Sequence, residues 1–247
     1  MIFERVTITG ADDSVKVRDL ELLSARFPFV EWGILVSKSH EGSPRYPSAG
    51  WMEQLRERAI ELPADVFAVS MHICGRWVRD IMAGHLSLED DHPGWLACFP
   101  RVQLNFHGEP QDPAGLAELM LDMKRPLFSK ETIFQVDGND RNRRIFTAAS
   151  KMTPRAVGLF DLSGGRGLVP AQWPTPPWEA KWGYAGGLGP ENLAEQLPLI
   201  DKAAGANLGW IDMETRVRSA DDRQLDLAKV ERCLEIVAQY VSGQERA

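Results

Sequence analysis

Two residues have the types and settings needed to move protons. His72 lies near the end of the run "SMHICG" (70–75), and Asp161 closes "LFD" (159–161). An imidazole ordinarily titrates near neutral pH, which suits His72 to general-base work. A carboxyl at Asp161 suits catalysis or ligand contact. A second set of residues could read an anion. Arg45 stands in "SPRY" (43–46), where Pro44 restricts the loop, and its planar fork matches a carboxylate or a phosphate. The other reading of Arg45 is a surface arginine paired with a neighbouring acid. Gly186 and Gly187 precede "PENLAEQ", and a glycine turn that opens a helix presents backbone N–H groups to an anion. A tight turn that needs glycine only for its backbone angles is the competing explanation. Arg216 or Arg166 would complete an anion clamp.

More polar residues alternate along apolar runs: Gln103, Asn105 and His107 in one, and Gln135 and Asp137 in another. Alternate residues of a strand share a face, so these side chains need partners or a ligand. Either a satisfied polar network inside the fold or a substrate site would explain them; Asn105, Asp137 and Glu214 are carried forward as substrate-binding candidates, and Asp212 is read as structural. His72, Asp137, Asp161 and Glu214 could in principle surround a divalent metal. They come from separate runs with no local ligand motif, and neither a metal nor a cofactor is expected. Cys74 is read as packing. Trp173, Trp178 and Trp182 crowd one segment and suit either a lid over a ring-shaped ligand or an apolar plug.

The elements that must position these residues follow from periodicity. Short apolar runs at 5–10, 30–36, 67–75, 101–108, 132–138, 156–165, 182–187 and 208–215 read as strands. Between them, "DLELLSARF", "WMEQLRERAIEL", "AGLAELMLDMKRPLF" and "LDLAKVERCLEIVAQYV" place apolar residues three and four apart, as helices do. Strand–helix units repeated eight times predict a single (β/α)8 TIM barrel spanning residues 1–247, of the α/β class. The chemistry of such barrels sits in the loops after the strands, which is where Arg45, His72 and Asp161 fall. An open doubly wound sheet would ordinarily carry a glycine-rich turn after its first strand, whereas "TITGADDS" has one glycine. The Pro/Trp-rich stretch 168–182 is expected to form a rigid loop after the sixth strand.

Composition narrows the function classes. The 247 residues are 44% hydrophobic and 26% charged, with a formal net charge of -7, which argues against a nucleic-acid surface. No stretch approaches the apolar length of a membrane span, and the opening "MIFERVTITG" lacks the core of a signal peptide. Three widely spaced cysteines give no disulfide framework and no paired zinc spacing. The expectation is a cytoplasmic protein, monomer or homodimer, with a small-molecule anionic partner and no nucleic acid or membrane.

Several of these pieces, in order along nearly the whole chain, resemble the phosphoribosylanthranilate isomerase superfamily. "SPRY" after the second strand is similar to a family signature, and "RVQLNFHG" (101–108) to its fourth-strand "VQLHG". "LFDLSGGRG" (159–167) resembles its sixth-strand aspartate and glycine-rich loop; "AGGLGPENLAE" (185–195) resembles its phosphate loop and helix. The resemblance implies the barrel, phosphate binding at Gly186 and Gly187, and Asp161 as the acid of an aldose-to-ketose rearrangement. Two places depart from the pattern. Thr7-Ile8-Thr9-Gly10 stands where the family has a "KICG"-like strand whose cysteine is the base, and Glu214-Thr215-Arg216 stands where it has a small "SSG". A threonine hydroxyl is no base near neutral pH without a partner. The expected function is therefore acid–base chemistry, of isomerase or lyase type, on a small anionic substrate such as a sugar phosphate, with His72 as the leading base. A non-catalytic small-anion-binding protein on the same scaffold, or a metal-assisted hydrolase or aldolase, are the alternatives.

Overall fold

A computed structural model describes residues 1–106, 130–162 and 167–244. Its strands are β1 (Ile2–Thr9), β2 (Val30–Val36), β3 (Ala68–Ile73), β4 (Arg101–Leu104), β5 (Glu131–Val136), β6 (Ala156–Asp161), β7 (Trp182–Ala185) and β8 (Leu208–Met213). Each pairs in parallel with the next, and β1 pairs with β8, which closes the barrel. The predicted fold class and all eight strands are therefore present. β2 has the predicted bounds, 30–36, while the others stop one to four residues earlier than the apolar runs do.

Among the described residues the helices are α1 (Val17–Arg26), α2 (Ala49–Glu61), α3 (Gly75–Met82), α4 (Ser87–Asp91), α5 (Asp140–Met152), α6 (Leu193–Ala204) and α7 (Leu227–Gln244). α1, α2 and α7 form where the three- and four-residue spacing predicts, α6 follows the glycine turn as expected, and the buried helix faces (Trp51, Met52 and Leu55 on α2; Leu193, Leu197 and Ile200 on α6) pack on the outer wall of the barrel. The expected helix in "AGLAELMLDMKRPLF" lies outside the described residues. The sixth unit departs from the regular repeat: residues 167–181 hold no helix. Pro170, Pro174, Pro176 and Pro177 each lack the N–H that a helical turn needs. No helix among the described residues is long and apolar enough to cross a membrane.

Two packed regions result. The larger lies between strands and helices. The smaller is inside the barrel, where Ile133, Val157, Leu159 and Trp210 make an apolar cluster. Gly183 makes room for the Trp210 indole, since a Cβ there would come within 2.3 Å of it. Below and beside that cluster the interior is charged. Glu31 is fully buried; it accepts from Thr7 at 2.9 Å and from Arg101 at 2.6 Å, and pairs with Arg5 at 2.8 Å. Arg101 also reaches Glu131, and Lys181 bridges Glu131 and Glu4. The Arg101 guanidinium lies 4.5 Å from the Trp210 ring centroid. This charged layer floors the barrel at its N-terminal end; the C-terminal end is left for the site.

Candidate active site

A cavity of about 350 Å³ opens at the C-terminal ends of the strands. Every strand ends or continues into it through a polar or glycine residue: Thr9, Ser37, His72, Asn105, Gln135, Asp161, Gly186 and Glu214 among them. β2 contributes Leu35, and the loop after it contributes Arg45 and Tyr46.

Asp161 closes β6, is 8% exposed and accepts from the Gln135 amide at 3.3 Å. His72 sits deeper. It is fully buried, its Nε2 meets Ser70 Oγ at 3.1 Å, and its Nδ1 has no hydrogen-bond partner. Gly33 is the residue that leaves space there, since a Cβ would stand 2.4 Å from Thr9 Oγ1 and 2.9 Å from the imidazole. Burial depresses the His72 pKa to about 4; Glu31 beneath it works the other way and Arg101 adds to the depression. At neutral pH the ring is neutral and weakly basic.

The loop after β2 holds Arg45 in a left-handed backbone conformation, φ 76°, uncommon for a residue with a side chain. Its N–H donates to Asp12 at 2.6 Å. The guanidinium then spans two partners from the loop after β8: Asp222, at 2.7–3.1 Å, and Glu214. Arg218, fully buried, ties the same Asp222 to Asp12 and to the carbonyl of Gly10. Arg45 is thus a brace between three loops as well as part of the cavity wall. Burial raises the Glu214 pKa; the Arg45 guanidinium pulls it back and the Asp161 charge pushes it further up.

Asp212, read from sequence as structural, lines the same cavity. It accepts from Thr9 Oγ1 at 2.7 Å. Burial holds its carboxyl well above the usual range; the Thr9 bond opposes this, while Glu214, Asp161 and Glu31 add to it. The signal was present in "IDMET", where Asp212 and Glu214 alternate onto one face.

Gly186 (φ 130°) and Gly187 (φ 58°) form the turn after β7. A Cβ on Gly187 would lie 2.5–2.7 Å from the backbone of Gly167 to Val169, so glycine is needed here for close approach as well as for its dihedrals. Arg216 reaches over the same loop, its Nε 3.4 Å from the Gly167 carbonyl. Asn105 links two neighbours: it accepts from Gln103 at 2.8 Å and donates to Cys74 Sγ at 3.2 Å. Burial raises the Cys74 thiol to about 12, so it is no nucleophile at neutral pH.

Asp137 is not brought to this cavity. Its carboxylate accepts from the Asn139 N–H and the Asn142 amide, both at 3.0 Å, which ties it to the first turn of α5. His107 and Arg166 lie outside the described residues. Trp173, Trp178 and Trp182 pack with Phe146, Phe160 and Tyr184 on the outer wall; Trp173 donates to Gln196, and none of the three lines the cavity. Among the described residues no group of three His, Cys, Asp or Glu side chains is placed to hold a metal ion.

No protein-family model matches the chain, and no curated protein does either. Solved structures do match. The N-(5'-phosphoribosyl)anthranilate isomerase from Pyrococcus furiosus aligns over 97% of this chain and 100% of its own, with 16% identity and a TM-score of 0.54. A GH18 chitinase from Pseudoalteromonas aurantia aligns over 95% and 99%, with 10% identity and a TM-score of 0.50. What they share with this chain is the barrel. Two neighbours with such different names show that the scaffold alone does not choose the chemistry.

Proposed function

We propose that this chain is an acid–base enzyme of isomerase or lyase type, acting on a small anionic substrate of the sugar-phosphate class. One observation carries the reading: the carboxyls of Asp161, Asp212 and Glu214 line the same cavity as the Gly186–Gly187 turn and Arg216. Barrels of this architecture do their chemistry at this end. Asp161 is the acid. Glu214 is the base in preference to His72, because its shift brings a carboxyl toward neutral pH while burial takes basicity from the imidazole. His72 then serves as a neutral hydrogen-bonding group. The glycine turn and Arg216 hold the anion, and the Arg45 brace orients Glu214. Free Cys74, Cys98 and Cys233 suit a cytoplasmic setting.

A second reading has its own support. By the sequence resemblance Thr9 stands where the isomerases have a basic cysteine, and its hydroxyl is engaged as a donor to Asp212. On that reading the protein binds small anions without turning them over. Incubation with phosphoribosylanthranilate, followed by loss of its fluorescence, and with a panel of aldose and ketose phosphates separates the two. Turnover that falls by about 10²–10⁴-fold in Asp161→Asn is the expected result. Saturable binding without turnover would favour the binding protein, and absence of both would overturn the anion assignment.

A further inference from the structure

The deep end of the cavity is built for something other than an anion. Three buried polar atoms there have no hydrogen-bond partner: His72 Nδ1, Gln103 Oε1 and Gln135 Oε1. Their residues are 1%, 3% and 6% exposed, and they stand on the adjacent strands β3, β4 and β5. Leaving such atoms bare costs stability unless a ligand or water meets them. The chemistry of the two glutamine oxygens is fixed by the bonds on the other side of each amide. The Gln135 amide nitrogen faces a carboxylate oxygen of Asp161 at 3.3 Å, so the oxygen left over is an acceptor. The Gln103 amide nitrogen donates to Asn105, which donates in turn to Cys74, so its free oxygen is an acceptor too. Across from them stands Asp212, held by the Thr9 hydroxyl.

No lysine or arginine among the described residues lines this floor, whereas Arg45 and Arg216 stand among the loops at the mouth. The cavity therefore has a polarity along its depth, with cations and a glycine turn above and acceptors below.

We propose that the floor formed by His72, Gln103, Gln135 and Asp212 is a subsite for a primary ammonium group on the substrate. An ammonium carries three donors and no acceptor, which matches two free amide oxygens beside a carboxyl. A hydroxyl would satisfy one acceptor with its single donor and leave the other bare. A buried acid deprived of a protein cation is also stabilised by one that arrives with the ligand. The substrate is then a bifunctional molecule, ammonium at one end and acid at the other. That orientation rests on the anion reading given above; the floor itself does not.

Isothermal titration of the whole chain with glucosamine 6-phosphate, glucose 6-phosphate and glucosamine tests the two parts separately. The amino sugar phosphate is expected to bind about tenfold or more tighter than glucose 6-phosphate. Gln135→Met is expected to remove most of that preference. Gln103→Met gives a second, independent loss of preference should the first variant fold poorly. Glucosamine binding without either phosphate would uphold the floor and discard the anion site at the mouth. Glucose 6-phosphate binding as well as the amino sugar phosphate would overturn the ammonium subsite and leave the anion reading standing. Binding by none of the three would overturn it as well.

Discussion

At the N-terminal end of the barrel Glu4, Glu31 and Glu131 meet Arg5, Arg101 and Lys181, acid against base, with Trp210 stacked above Arg101. At the C-terminal end Asp161, Asp212 and Glu214 share one cavity, and the cation nearest to Glu214, Arg45, is divided between it and Asp222. Both ends bury charge in the same barrel, but the consequences run in opposite directions. In the first, desolvation is outweighed by Arg101 and Arg5, and the Glu31 pKa falls to about 2. In the second, burial prevails, and Asp212 and Glu214 move upward. Balanced partners make a buried charge structural. Unbalanced carboxyls store free energy that a ligand or a proton can release, which is the property a site requires.

The widest gap between the ends should show when a partner is removed from the balanced one. Arg101→Met leaves Glu31 buried with half its compensation, and a loss of about 3–5 kcal/mol in denaturant unfolding is expected. Adding Glu31→Gln to that variant should recover much of the loss, because the stranded charge goes with it. If the single variant unfolds like the wild type, the lower ring is not a compensated unit.

Acid should affect the lower half in a defined window. The Glu31 pKa is depressed from 4.5 to about 2, and that of His72 from 6.5 to about 4. In both cases the unfolded chain binds the proton more readily, so stability is fully present above the unfolded values and is lost as pH falls through the folded ones. Each group contributes on the order of 3 kcal/mol. A unfolding free energy that declines from about pH 6.5 to about pH 2, with the upper part of the decline absent in His72→Gln, is the expected profile. A flat profile above pH 4 would remove the depressed imidazole from the account.

Much of the scaffold was open to reading in the sequence, because apolar runs and three- or four-residue spacing report directly on which face is buried. β2 is an example: seven consecutive buried residues make one uninterrupted apolar run apart from Glu31. Four prolines make the segment after β6 read as a loop, and it holds no helix over 167–181, although the repeat count implies a helix for every strand. The site was legible only where it is local. His72, Asp161 and the glycine turn announce themselves by standing at strand ends. The partners of Arg45 do not, since Asp222 is 177 residues away and reaches it only because β8 closes on β1. Asp137 was misplaced for the reverse reason: alternation along β5 pointed it inward, but the turn "DGND" captures its carboxylate for the start of α5. In sequence Asp212 reads as structural, because a single sequence does not show that no cation among the described residues faces it.

The smallest expected effect bears most directly on the contrast between the two ends. Asp212→Asn keeps the acceptor for Thr9 and removes only the ionisable group. Because the pKa of Asp212 is raised by folding, its contribution to stability is present at low pH and is lost as pH rises above the unfolded value of 3.8. Thermal melting of the variant and the wild type at about pH 8 and about pH 4 is therefore the measurement to make. The account predicts a variant that melts about 2–4 °C higher at the alkaline pH, with the gain fading at the acid one. A variant that melts lower at about pH 8 would mean that Asp212 is compensated like Glu31, and the distinction between a balanced N-terminal end and an unbalanced C-terminal end of the barrel would fail.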